Sequence, residues 1–237
     1  TGSSSMEKST PFFRHYGPDL TGLFSGDAGS LGIKASITLR LIKLPSHSLT
    51  CSYGFKSYDA MSQAMAAAAR EESVSSNWGL DPKLQQGQLG STSIADAFKA
   101  AFAVLRTARN PLEAILQLFK MAIAGKRFLT GYDYSAHFVV EGHSMSEVKS
   151  KLAQTRKAVS SFGTEIANTI PTVLGAMPFM PLYPILGPQG ERWVPMHGLL
   201  SFSKMQEMHN RLMDLYEEKK DAMEECSVYA GAMYMTY

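Results

Sequence analysis

Three times in this chain a strand-like run leads to a serine, an apolar residue beside it, and a second apolar residue four positions after the serine. The sets are Ser57, Tyr58 and Met61; Ser144, Met145 and Val148; and Ser201, Phe202 and Met205. A period of two fits a strand with one buried face, spacings of three and four fit a helix, and a serine between them fits the helix N-cap. A β-α unit used repeatedly constrains the fold strongly. Each copy alone leaves an apolar sheet face and an apolar helix stripe that its neighbours must cover.

In the first copy Leu49, Cys51, Tyr53 and Phe55 alternate with polar residues, and Met61, Ala64, Met65 and Ala68 form the helix stripe. The second has its strand around Tyr134–Glu141, a capping box from Ser144 to Glu147, a stripe of Val148, Leu152, Val159 and Phe162, and a stop at Gly163. The third has a strand from Trp193 and a stripe of Met205, Met208, Leu212 and Leu215. Between the first two copies, Ile94, Phe98, Phe102 and Leu105 make another stripe, and Asn110-Pro111 starts a further helix. Between the later two, prolines at 171, 178, 181, 184 and 188 predict an extended loop. Ahead of all three copies, Ile33, Ala35, Ile37, Leu39 and Leu41 alternate with polar residues and predict a strand closed by Pro45.

With 45% hydrophobic and 19% charged residues the chain can build a core, and a formal charge of +2 gives no basis for nucleic-acid binding. Cys51 and Cys226 offer neither a disulfide framework nor metal-ligand spacing, which points to a reducing, cytoplasmic setting without a metal. No apolar run reaches the roughly 18–20 residues of a bilayer span. Lys99, Arg106, Arg109, Lys120, Lys126 and Arg127 on the paired helices admit a peripheral membrane contact, against the simpler reading of a solvated helix face. The start, TGSSSMEKST, and the stop within the apolar run Tyr234–Tyr237 predict a piece of a longer polypeptide.

The glycine cluster Gly26-Asp27-Ala28-Gly29-Ser30-Leu31-Gly32-Ile33 lacks the lysine of a P-loop, and a strand follows it where a dinucleotide fingerprint would have a helix. With Asp19-Leu20-Thr21-Gly22-Leu23-Phe24 before it and Ala35 to Pro45 after it, the stretch resembles the second flavin-contacting segment of the FAD-linked oxidase superfamily, the vanillyl-alcohol oxidase and glycolate oxidase type. The resemblance implies that residues 1–45 end an FAD-binding domain and that 46–237 form a substrate-binding cap. The fold class it implies is α+β: a ferredoxin-like antiparallel sheet with helices on one face. It also implies that Gly26, Asp27, Gly29, Ser30, Leu31, Gly32 and Ile33 lie along FAD, Asp27 through its backbone, with its side chain capping the turn or pointing away. The family's other glycine-rich flavin turn has no counterpart in this sequence.

On that reading His137 and Glu141 lie on the sheet face away from the helices, the face that looks onto flavin in the resembling enzymes. The repeat register carries Arg192 to the same face and places His197 on the helix side. Arg192 would then hold a substrate carboxylate in a bidentate fork, and His137 or His197 would take the hydroxyl proton. The expected function is part of an FAD-dependent oxidoreductase that oxidises an alcohol or 2-hydroxy acid by hydride transfer to flavin N5, a homodimer being admitted. The alternative is a non-catalytic α+β ligand-binding or interaction module.

Overall fold

The structure, a computed structural model, describes residues 22–27, 29–37, 39, 41–85, 131–176 and 194–236. Its internal contacts fall into two units, Thr1–Leu44 and Pro45–Tyr237.

In the second unit, strand β1 (His47–Phe55) ends at Ser57, whose hydroxyl accepts from Ala60 N at 3.2 Å and starts helix α1 (Tyr58–Arg70). Strand β2 (Ser76–Leu80) follows. Strand β3 (Tyr134–Gly142) repeats the pattern of β1, with Ser144 accepting from Glu147 N at 3.2 Å to start helix α2 (Met145–Val159). Glu147 reaches back to accept from His143 N at 2.8 Å, closing the expected box one residue ahead of the cap. The Lys151 ammonium and the His143 N–H together hold the Glu147 carboxyl down to about 2. Strand β4 (Thr164–Ile166) and helix α3 (Thr169–Ala176) come next. Helices α4 (Phe202–Glu218) and α5 (Lys220–Glu225) and strand β5 (Met233–Met235) complete the described elements.

The strands form one sheet in the order β4-β1-β3-β2-β5, every neighbouring pair antiparallel. The first four strands and their two helices thus make the β-α-β-β-α-β arrangement of ferredoxin-like folds, with β5 added beside β2. The fold is α+β, the class that the resemblance implied. The β1–β3 pairing sets its register, running from His47 opposite Gly142 to Phe55 opposite Tyr134. That register gathers Cys51, Tyr53 and Phe55 with Ala136, Phe138 and Val140 on one face. Met61, Ala64, Met65 and Ala68 of α1 and Val148, Leu152 and Val159 of α2 cover this face, and all are buried. Gly79 of β2 lets α1 sit close: a Cβ there would stand 2.7 Å from Met61 Sδ.

Four expectations fail. The third copy keeps its helix but has no strand, because residues 194–200 form no ladder and are exposed, Met196 at 90% and Leu199 at 97%. Pro195 removes a donor there, and the sheet takes β2 and β5 in place of this segment. Ser201 also lacks the side-chain cap bond that Ser57 and Ser144 make. Likewise no ladder forms over 32–37, 39 or 41–44, where Ile33 is 99% exposed. The prolines do not keep 169–176 irregular, since Pro171 sits in the first turn of α3, where its missing N–H costs no helix bond. The paired helices over 94–127 and the rest of the proline stretch lie outside the described residues.

The two ends of the β2–β3 connection are fastened. Asp81 caps the turn at 82–85 by accepting from Leu84 N at 2.7 Å, and its own N–H donates to Ala232 O at 3.1 Å. Gln85 Nε2 donates to Asp133 O at 2.5 Å, and Asp133 N donates to Phe55 O at 3.0 Å. No helix among the described residues is long and apolar enough to cross a membrane.

Candidate functional site

In the first unit a short 3-10 turn, Gly22–Phe24, leads into the glycine loop. Gly26 and Gly29 have φ of +74° and +85°, and a Cβ at either would meet nothing within 4 Å. Left-handed glycines with open space beside them put no side chain between the turn and its surroundings, although the N–H groups of Gly29, Ser30, Leu31 and Gly32 are bonded within the loop. Asp27 organises the turn from inside. Its carboxylate accepts from Gly29 N at 3.2 Å and Leu31 N at 3.1 Å and pairs with Lys34, while its carbonyl accepts from Ser30 N at 2.9 Å. Lys34 and these N–H donors hold the Asp27 carboxyl below its ordinary value. Ser30, Leu31 and Ile33 stand exposed along the same turn.

Of the residues expected to do chemistry, His137 stands on the sheet face away from α1 and α2. That face does not open to a ligand there: His137, Ser52, Ser135 and Leu80 are all fully buried. Its Nδ1 lies 2.8 Å from Ser52 Oγ, its Nε2 lies 3.2 Å from Ser135 Oγ, and its ring packs 4.4 Å from Trp78. Burial pushes the imidazole down to about 3, so it is neutral and both ring nitrogens are engaged. This is the hydrogen bonding that a buried histidine needs. His197 falls in the exposed segment 194–200, and Arg192 lies outside the described residues. The three are therefore not brought together among the described residues.

A different histidine sits at an open cleft. Helix α4 buries His209 to 5% exposure, with its ring stacked on Tyr58 at 3.8 Å and 5° between planes. Its Nε2 lies 3.2 Å from the Tyr134 hydroxyl and its Nδ1 lies 2.7 Å from the Tyr234 hydroxyl. Four elements thus converge on one imidazole: α1, β3, α4 and β5. Burial lowers the His209 pKa, raises that of Tyr58 to about 12, and raises those of Tyr134 and Tyr234. All four groups are uncharged near neutrality. A neutral imidazole has one donor and one acceptor nitrogen, so one phenol donates to His209 and the other accepts from it.

Tyr58, Tyr134 and His209 line a cleft of about 420 Å³ at the ends of β1 and β3. Lys56, Asp59 and Asp133 stand around it, and Gln206 and Asn210 flank His209 on α4. Sequence reasoning missed His209 by choosing the stripe Met205, Met208, Leu212 and Leu215. Met208 and Leu215 are 46% and 47% exposed. The set turned toward the core is Met205, His209, Leu212, Met213 and Tyr216. Its spacing is equally helical and includes the helix's one histidine.

Among the described residues no group of three His, Cys, Asp or Glu side chains is placed to hold a metal ion. No protein-family model matches the chain, and no curated protein matches it.

Proposed function

We propose that this chain supplies one flavin-lining loop and the substrate-side unit of an FAD-dependent oxidoreductase that oxidises an alcohol or 2-hydroxy acid. The observation that carries this reading is the glycine loop, which resembles a flavin-contacting segment in sequence and adopts left-handed glycines with open space beside them. That backbone fits close approach by a flavin nucleotide: Gly26, Gly29, Gly32 and Ile33 would line it. Asp27 would take no direct part, since its carboxylate is spent on Gly29 N, Leu31 N and Lys34. FAD, when bound, supplies the hydride acceptor; the chain supplies backbone contact and the orientation of the substrate. The ferredoxin-like unit supports the reading as a rigid sheet on which a substrate-side cleft can be built.

The test is the visible spectrum of the longest gene-encoded form, with and without added FAD. Bound flavin absorption is expected, and Gly29→Val is expected to weaken FAD retention, because a β-branched residue resists left-handed φ. A protein that stays colourless after FAD addition refutes the reading. A ligand-binding module without flavin is then the conclusion, because the His209 cleft lies wholly within the second unit and needs none.

A further inference from the structure

We infer that the cleft over His209 is a binding site for small polyhydroxylated compounds in alcohol and carbonyl form, with Tyr134 as the contact to the oxygen that distinguishes the two. The inference names a ligand class for the substrate-side unit and rests on the reading above only in calling that unit substrate-side.

The argument begins with the imidazole. Among the described residues its hydrogen bonds are to two phenols, Tyr134 at Nε2 and Tyr234 at Nδ1. In one tautomer Tyr134 donates to Nε2, and its oxygen can accept only from a ligand O–H. In the other, Nε2–H donates to Tyr134, and the phenol proton can be given to a ligand oxygen. A shift of tautomer therefore turns Tyr134 from acceptor to donor with no change in net charge. Only Tyr134 of the two phenols lines the cleft.

The rest of the cleft fixes the class. Among the described residues the lining has one cation, Lys56, and two carboxylates, Asp59 and Asp133, so these groups give an anion no net attraction. Gln206 Nε2 donates to Asn210 Oδ1 and Gln63 donates to Asp59 Oδ2, which leaves Asp133, Asp59 Oδ1, Gln206 Oε1 and Asn210 Nδ2 to meet several hydroxyls at once. The cleft, of about 420 Å³, is open on one side, so it has room for a small molecule held against its floor and not enclosed.

The test uses the chain as it is, without flavin, and three probes with identical ends: glycerol, dihydroxyacetone and propane-1,3-diol. They carry CHOH, C=O and CH2 at the middle carbon. Nitrogen NMR of isotopically labelled histidine reads the His209 tautomer directly. A carbonyl can only accept, so dihydroxyacetone is expected to drive His209 to the Nε2–H form. Glycerol is expected to bind while leaving Nδ1–H populated, and propane-1,3-diol to leave the His209 signals in place. Tyr134→Phe is expected to abolish the difference between the probes. The inference is overturned if no probe moves the His209 signals, or if all three move them alike. Both outcomes are read on the unmutated protein, so they stand even if Tyr134→Phe does not fold. Loss of the flavin reading alone, by a colourless protein, leaves these signals unaffected.

Discussion

His137 makes the stability of the second unit depend on pH in a direction that can be worked out from its surroundings. The imidazole is fully buried and its pKa is pushed from 6.5 to about 3. In the unfolded chain it regains the ordinary value, so between those two values the unfolded state holds more protons. Stability is therefore complete above the unfolded value and falls as the pH drops toward the folded one. At about 1.4 kcal/mol per unit, the loss is about 2 kcal/mol on going from about pH 7 to about pH 5, and about 5 kcal/mol when the fall is complete. His137→Gln keeps a donor and an acceptor near Ser52 and Ser135 but cannot take the proton. Its own cost is constant with pH, so the variant should close on the wild type by about 2 kcal/mol over that interval. The lowered pKa of His209 adds a slope of the same sign, and that slope is present in both proteins and cancels. Urea unfolding followed by circular dichroism measures the gap, and with a slope of roughly 2 kcal/mol per molar it amounts to about 1 M in the midpoint. A gap between the two proteins that is the same at both pH values would refute the argument that His137 is buried neutral.

Ser57→Ala should cost about 1 kcal/mol through the lost cap bond to Ala60 N, while Ser201→Ala, at the same place in the repeat but without a cap bond, should change the melting temperature little. Gly163→Ala should destabilise by roughly 1–3 kcal/mol, because its Cβ would stand 2.5 Å from the Phe55 ring and 2.9 Å from Gly54 O; a melting temperature at or above that of wild type would contradict this. Of the two cysteines, Cys226 is exposed, whereas Cys51 is buried with its thiol pushed up to about 12, so an aromatic disulfide reagent should titrate one thiol in the native protein and both in denaturant.

What could be read from the sequence was whatever is local and periodic. The first two β-α copies fold as their alternation and their serines implied, since strand, cap and stripe lie within a short segment and reinforce one another. The third copy misled because its serine and helix stripe match the others, yet its run carries Pro195 and does not alternate, and a strand exists only where another strand offers a ladder. That place beside the sheet belongs to β2 and β5. Strand β2, with the sequence Ser-Asn-Trp-Gly-Leu, carries a polar residue and a glycine toward the helices. Asn77 donates to Met65 O at 2.9 Å, and Gly79 makes room for the methionines of α1. Neither reason can be read before the partner is known. The candidate site was legible only in part. The left-handed turn at Gly26 and Gly29 follows from residue type, and the face of His137 follows from alternation. The burial of that face, and the meeting of residues 58, 134, 209 and 234 on one imidazole, come from tertiary packing.

The clasp between Gln85 and Asp133 holds the two ends of the β2–β3 connection at one point beside the cleft. The closure entropy of such a stretch grows only slowly with its length, at about 0.6 kcal/mol for each doubling. The sheet thus works as a chassis that fixes where the β2–β3 connection leaves and where it returns. Lengthening or shortening the sequence between Gln85 and Asp133 would then cost little, while the register of β1 and β3 stays as it is.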